Sequence, residues 1–172
     1  MVKRGWLKSF FSVFCLGCCK THGDNKQMNV PEVNYVKSAT LVKVVDGDTI
    51  RVVIDLGWNV RLQEDIRLSR VNAPESRGRE SEAGKFVTQQ VVGWLQERLL
   101  KDPKLIVHSK NFSSGKFGRA IADIWANGEC LNDYLLDSKL AWKVDEHGKQ
   151  EQPREIELLD LPDSIRESIG NA

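Results

Sequence analysis

Arg67-Leu68-Ser69-Arg70-Val71-Asn72-Ala73-Pro74-Glu75 is the stretch on which the reading of this chain turns. Ile66, Leu68 and Val71 are apolar while Arg67 and Arg70 are not, so the segment begins as a strand; Pro74 cannot continue a central ladder and ends it. An arginine on a stiff element therefore stands within a few residues of an amide, Asn72, and a carboxylate, Glu75, on a loop, which is how a scaffold presents chemistry. Two more fragments belong with it: Val45-Asp46-Gly47-Asp48-Thr49 upstream and Lys116-Phe117-Gly118-Arg119 downstream. Together they offer two guanidiniums, carboxylates at Asp48 and Glu75, and the Asn72 amide, a set suited to one hard cation and one phosphate.

Outward from this stretch the chain alternates in a regular order. Ala39 to Val45 and Thr49 to Asp55 are β-branched runs joined at Asp46-Gly47-Asp48, where glycine permits a tight turn. Gly57 breaks the second run, and Val60 to Val71 reads as a third, longer strand with a bulge near Gln63 to Asp65. The polar loop Ser76 to Arg79 leads into a helix over Glu80 to Leu100, where Val87, Val91, Trp94, Leu95 and Leu99 recur at three- and four-residue spacing. Pro103 stops the helix; Leu105 to His108 and Arg119 to Ala126 are two more strands. Asn127-Gly128 then turns the chain into a second amphipathic helix marked by Leu131, Tyr134 and Leu135. Three strands, a helix, two strands and a helix predict an α+β domain, a small barrel with helices packed on it.

The 172 residues suffice for one domain plus tails, and 41% apolar with 28% charged residues suits a soluble globular chain. The net charge of +1 is unevenly spread: residues 1–27 carry +4, residues 28–144 carry +2 and residues 145–172 carry −5. Bulk charge does not announce a nucleic-acid binder, so phosphate affinity has to come from local arginines. Cys15, Cys18 and Cys19 crowd the head while Cys130 stands alone in the body, which excludes a disulfide framework.

Lys3, Arg4 and Lys8 precede the apolar run Phe10 to Gly17, the order of charged and hydrophobic regions in an export signal. The run is shorter than the roughly 20 residues that span a bilayer. Leu16-Gly17-Cys18 is similar to the end of a lipoprotein cleavage signal, with Cys18 as the acylated residue; the other reading is a membrane-apposed or disordered head whose cysteines are palmitoylated or idle. Export or lipid anchoring is expected over a cytoplasmic tail. The expected organisation is thus a head over residues 1–20, a polar linker over 21–38, the barrel domain over 39–144, and an acidic tail over 145–172. Glu155 to Leu161 and Asp163 to Ile169 read equally as short helices parted by Pro162 and as a loosely held tail.

Val45-Asp46-Gly47-Asp48-Thr49, Ile66-Arg67-Leu68 with Asn72-Ala73-Pro74-Glu75, and Lys116-Phe117-Gly118-Arg119, in this order, resemble the staphylococcal nuclease (thermonuclease) family. The similarity runs from about Ala39 to Val144 and includes Asn132 and Leu140-Ala141-Trp142. It implies a five-stranded OB-fold barrel with two or three packed helices and calcium-dependent hydrolysis of DNA and RNA phosphodiesters to 3′-phosphate ends, by a monomer. By position, Asp48 and Asn72 would give side-chain oxygens to Ca2+ and Ala73 a backbone carbonyl. Arg67 and Arg119 would grip the phosphate, and Glu75 would deprotonate or orient the attacking water.

The chemistry asks for such a set. A phosphodiester is anionic and repels hydroxide, so a catalyst has to neutralise charge that grows as phosphorus becomes five-coordinate. Two guanidiniums do this with paired hydrogen bonds that lysine would not reproduce. Asp46 is open between supporting the site and shaping its turn, while Glu64, Asp65 and His108 read as ordinary strand residues and Cys130 as a packed thiol.

Two departures from the family pattern stand out. Asn72 occupies a position where aspartate is common, which removes one negative charge and predicts weaker calcium binding. No tyrosine follows the second helix, leaving Trp142 as the candidate platform for a base, and Pro153 and Pro162 give no support for the family's third helix. The competing reading from another class is a catalytically weak or inactive OB-fold module that binds single-stranded nucleic acid or protein. Retention of Arg67, Glu75 and Arg119 together argues for the enzyme.

Overall fold

The computed structural model describes residues 35–109, 119–145 and 155–170. The head with Cys15, Cys18 and Cys19, and the Lys116-Phe117-Gly118 part of the downstream fragment, lie outside the described residues. Strand β1, Val36–Asp46, pairs antiparallel with β2, Thr49–Gly57, which pairs with β3, Val60–Leu68. β1 also carries β5, Leu105–His108, and β5 carries β6, Ala120–Ala126. β6 then meets β3 in parallel at Ile66, Arg67 and Leu68 and closes a five-stranded barrel. Closure leaves no long free edge, and the β-branched positions Ile50, Val52 and Ile54 alternate into its core. The architecture is the α+β OB-fold barrel with three helices, as the resemblance implies.

The shorter elements hang on this frame. The barrel's β6 turns at Asn127-Gly128, both at positive φ, into β7, Glu129–Cys130. The pair β4, Val71–Asn72, and β8, Trp142–Lys143, forms a second small sheet. Helix α1, Ser81–Leu99, follows a 3-10 turn at Gly78–Glu80 and buries Val87, Val91, Trp94 and Leu95 against the barrel. Helix α2, Leu131–Asp137, buries Leu131 and Leu135.

Three sequence expectations are corrected. The bulge expected at Gln63 to Asp65 is absent: there the register runs evenly through Val53↔Gln63, Val52↔Glu64 and Arg51↔Asp65. The irregularities lie elsewhere: in β1, between Leu41 and Lys43 and between Val44 and Asp46, where one long strand pairs on both of its edges, and in β2 between Asp55 and Gly57, beside the hairpin tip. The single strand expected over Val60 to Val71 is interrupted because Arg70 sits at φ 64, which turns the chain between β3 and β4.

The third correction concerns the family's third helix, for which Pro153 and Pro162 give no support in the sequence; of the two readings of the C-terminal segment, the short helices parted by Pro162 hold. Helix α3, Asp163–Gly170, forms after a 3-10 turn at Ile156–Leu158, and Leu159, Leu161 and Ile169 are buried in the main core. Pro162 does not break a helix; it precedes one, and its carbonyl accepts from Ile165 N–H at 2.9 Å. Its acidic composition hid this role, because a few spaced apolar side chains suffice to dock so short a helix.

Candidate active site

The site is assembled at the mouth of the β2–β3 hairpin, where Asp48 ends one turn and Arg67 ends one strand. Asp48 is 3% exposed. Its Oδ2 accepts from Ala73 N–H at 2.9 Å and its Oδ1 from the Thr49 hydroxyl at 3.1 Å and from the Arg67 guanidinium. The other amino group of Arg67 donates to Asn72 Oδ1 at 2.9 Å. One guanidinium thus joins Asp48 to Asn72, and Asp48 in turn fixes the Ala73 backbone. Burial pushes the Asp48 carboxyl above the ordinary aspartate range, although Arg67 and the Ala73 N–H oppose the rise.

Gly47 makes this packing possible. A Cβ there would lie 2.8 Å from Ala73 Cβ and 2.9 Å from Val87 Cγ1, so close approach of the loop and α1, and no positive φ, is what requires glycine. The open question about Asp46 is answered as well: its Oδ1 accepts from Gly47 N–H at 2.9 Å and also from the Ser76 hydroxyl. It shapes the turn and ties it to the loop that carries Glu75.

Glu75 is exposed, and its backbone N–H is 3.4 Å from Glu80 Oε2. Beneath it runs α1. A Cβ on Gly84 would overlap the Glu75 carbonyl and Ser76 N, so the missing side chain sets how closely the helix supports that peptide. Arg119 stands directly before Ala120, the partner of Ile66, which puts it beside Asp65 on the face that also carries Arg67. Strand rise and spacing separate the two arginine Cα atoms by roughly 8 Å. Asp65 is held well below the usual carboxylate range, first by its hydrogen bonds to Arg51 at 2.6 and 2.8 Å and further by the positive charges of Arg51, Lys43 and Arg119.

A buried polar clamp escaped the sequence reading. Asn132, fully buried, donates to Ser69 O at 2.8 Å and accepts from Ile124 N–H at 3.0 Å. Ser69 donates to Asp123, while Arg70 reaches Asp133 at 2.9 Å and Asp123 at 3.4 Å. The turn between Arg67 and Asn72 is thereby fastened to β6 and α2. The positive φ of Arg70 and the pairing of distant acids leave no local signal; only Asn132 at the start of α2 hinted at it.

Trp142 does not fill the role expected of it. It is 4% exposed, pairs with Asn72 across the β4–β8 sheet, and donates its indole N–H to Glu155 O at 2.9 Å. It backs the Asn72 strand and gives no open face to a base. Tyr134 is stacked on Trp94, with ring centroids 5.6 Å apart.

The donors expected for a cation, the Asp48 carboxylate, the Asn72 amide oxygen and the Ala73 carbonyl, would be one carboxylate, one amide oxygen and one backbone carbonyl. Among the described residues no group of three or more His, Cys, Asp and Glu side chains is placed to hold a metal ion. The oxygen-only set fits a hard cation in kind and supplies little charge.

Comparison with known proteins agrees with this fold. The family model for staphylococcal nuclease homologues matches residues 65–167, more than half of the chain, and takes in α1, α2 and most of α3. Protein ParB of Escherichia coli is 25% identical over 127 residues, covering 69% of this chain; the chain spans 63% of the length of that relative. With barrel, helices and matched residues in agreement, the chain belongs to the staphylococcal nuclease homologue family.

Proposed function

We propose that this protein is a calcium-dependent endonuclease that hydrolyses phosphodiester bonds of DNA and RNA and leaves 3′-phosphate ends. The observation that carries the reading is the Arg67 guanidinium bonded to both Asp48 and Asn72, on the face that also carries Arg119. Asp48, Asn72 and the Ala73 carbonyl would hold the cation; when bound, it supplies positive charge beside a phosphoryl oxygen and acidifies water.

The chain's own residues do the rest. Arg67 and Arg119 meet the phosphate as two forked donors and offset charge that grows on its oxygens. Glu75, on a loop and open to solvent, receives or directs the proton of the attacking water; a carboxylate away from the cation is the better proton acceptor. Departure of the 5′-oxygen leaves phosphate on the 3′ side. The order of charged and apolar residues in the head supports a location outside the cytoplasm, secreted or lipid-anchored. One observation favours the alternative of a binding module: Asn72 leaves a single carboxylate among the cation donors.

Purified protein with plasmid DNA and with RNA, in calcium and then in chelator, tests the proposal. Cleavage in calcium, with product ends that a polymerase extends only after phosphatase treatment, is expected. Binding without cleavage under any divalent ion would assign the chain to the non-catalytic class.

A further inference from the structure

We propose that the outer face of the β2–β3 hairpin is a nucleic-acid track running from the Arg67 and Arg119 end of the barrel to Trp58, whose indole stacks on a base of the bound single strand. The inference rests on the nuclease reading above and extends it to the substrate's path.

Trp58 sits at the tip of the hairpin. Gly57 pairs with Val60, which leaves Trp58 and Asn59 as a two-residue loop at φ 48 and 63. Such a turn favours Asn and Gly at both positions, and a bulky side chain there is strained. Trp58 is also 96% exposed, so its ring recovers nothing by burial. A large aromatic that strains its backbone and stays in water serves something other than the fold.

The face leading to it carries no net negative charge to repel a polyanion, and its basic groups gather at the Arg67 and Arg119 end. Ile50, Val52 and Ile54 point inward, so Arg51, Val53 and Asp55 point outward, opposite Asp65, Gln63 and Arg61. Arg67 is the next outward residue after Asp65, which puts the candidate active site and Trp58 at opposite ends of one face, roughly 30 Å apart at strand rise. Lys43, paired with Arg51, and Arg61 lie between them. Arg51 is paired with Asp65 through two hydrogen bonds and Arg61 stands opposite Asp55, so Lys43 carries the uncompensated positive charge between the two ends. Strands two and three are also the surface on which OB-folds hold oligonucleotides.

The test uses the full chain in chelator, so that nothing is cut, and follows fluorescence anisotropy with an oligothymidylate of about 12 nucleotides and with a dinucleotide. Trp58→Asn suits the turn and keeps the fold. It is expected to weaken binding of the longer strand roughly tenfold, to leave the dinucleotide unaffected, and to be largely rescued by Trp58→Phe. Unchanged affinity for the longer strand, or equal loss on both ligands, overturns the track. Leu56, Val60 and Leu62 beside the tip are 40–51% exposed, so vesicles rich in phosphatidylglycerol form a second arm. Loss of vesicle binding in Trp58→Asn with normal oligonucleotide binding would assign the tip to a membrane surface instead. A wild-type protein that binds neither oligonucleotide, or that binds the long strand no better than Trp58→Asn does, removes the track alone; the cleavage assay in calcium decides the nuclease reading separately.

Discussion

Asn72 and Asp48 show how much a single atom's charge decides. Asn72 Oδ1 is a neutral oxygen that accepts from Arg67 and, on the proposed reading, would also serve the cation. Asn72→Asp adds a full charge, so calcium affinity measured by calorimetry should rise about tenfold or more, the scale of one well-placed carboxylate; unchanged affinity would remove Asn72 from the donor set. Asp48 works in the opposite direction. Its folded pKa is raised by burial, so above the ordinary value of 3.8 the native state binds a proton that the unfolded chain has released. The contribution of this group to stability therefore falls as pH rises from the ordinary value through the raised folded one. Asp48→Asn is expected to lower the urea midpoint at pH 7, because its amide N–H2 meets either the Ala73 N–H or the Arg67 guanidinium, and to remove that part of the pH dependence, while calcium binding is lost. A higher midpoint at pH 7 would mean that relief of the buried charge outweighs those bonds.

At the scale of elements, α1 supports the loop that carries Glu75, and its two interior glycines make the point. A Cβ on Gly84 would overlap the Glu75 peptide, whereas one on Gly93 would meet nothing within 4 Å. Gly93→Ala should stabilise the protein by up to about 1 kcal/mol through helix propensity alone. Gly84→Ala should cost about 1–3 kcal/mol by overpacking and, by moving Glu75, lower turnover roughly a hundredfold. Equal thermal shifts for the two variants, with normal turnover in Gly84→Ala, would detach α1 from the chemistry. Such relations explain what was legible in the sequence and what was not. The barrel strands announced themselves because β-branched residues alternate along them, and Asp48, Arg67 and Asn72 because three fragments stand in register. Gly84 under Glu75, Trp142 behind Asn72, and the Arg70 clamp to Asp123 and Asp133 depend on contacts between distant segments, which no local pattern records.

For the molecule as a whole, the barrel, α1 and the C-terminal helix form one support for a small polar mouth. Leu159, Leu161 and Ile169 bind the last helix into the same core that holds Ile66 and Leu68 under Arg67. An acidic tail judged by composition thus belongs to the folded unit, because apolar spacing outweighs net charge when a core is within reach. The central claim is that Arg67, Glu75 and Arg119 act on one phosphodiester. It is tested most directly by single-turnover cleavage of an end-labelled DNA strand in calcium by wild type, Glu75→Gln and Arg119→Ala, with native folding of each checked by circular dichroism. A rate loss of at least about a hundredfold in each variant is expected. Near wild-type rates in either one would contradict the claim and place the chemistry elsewhere.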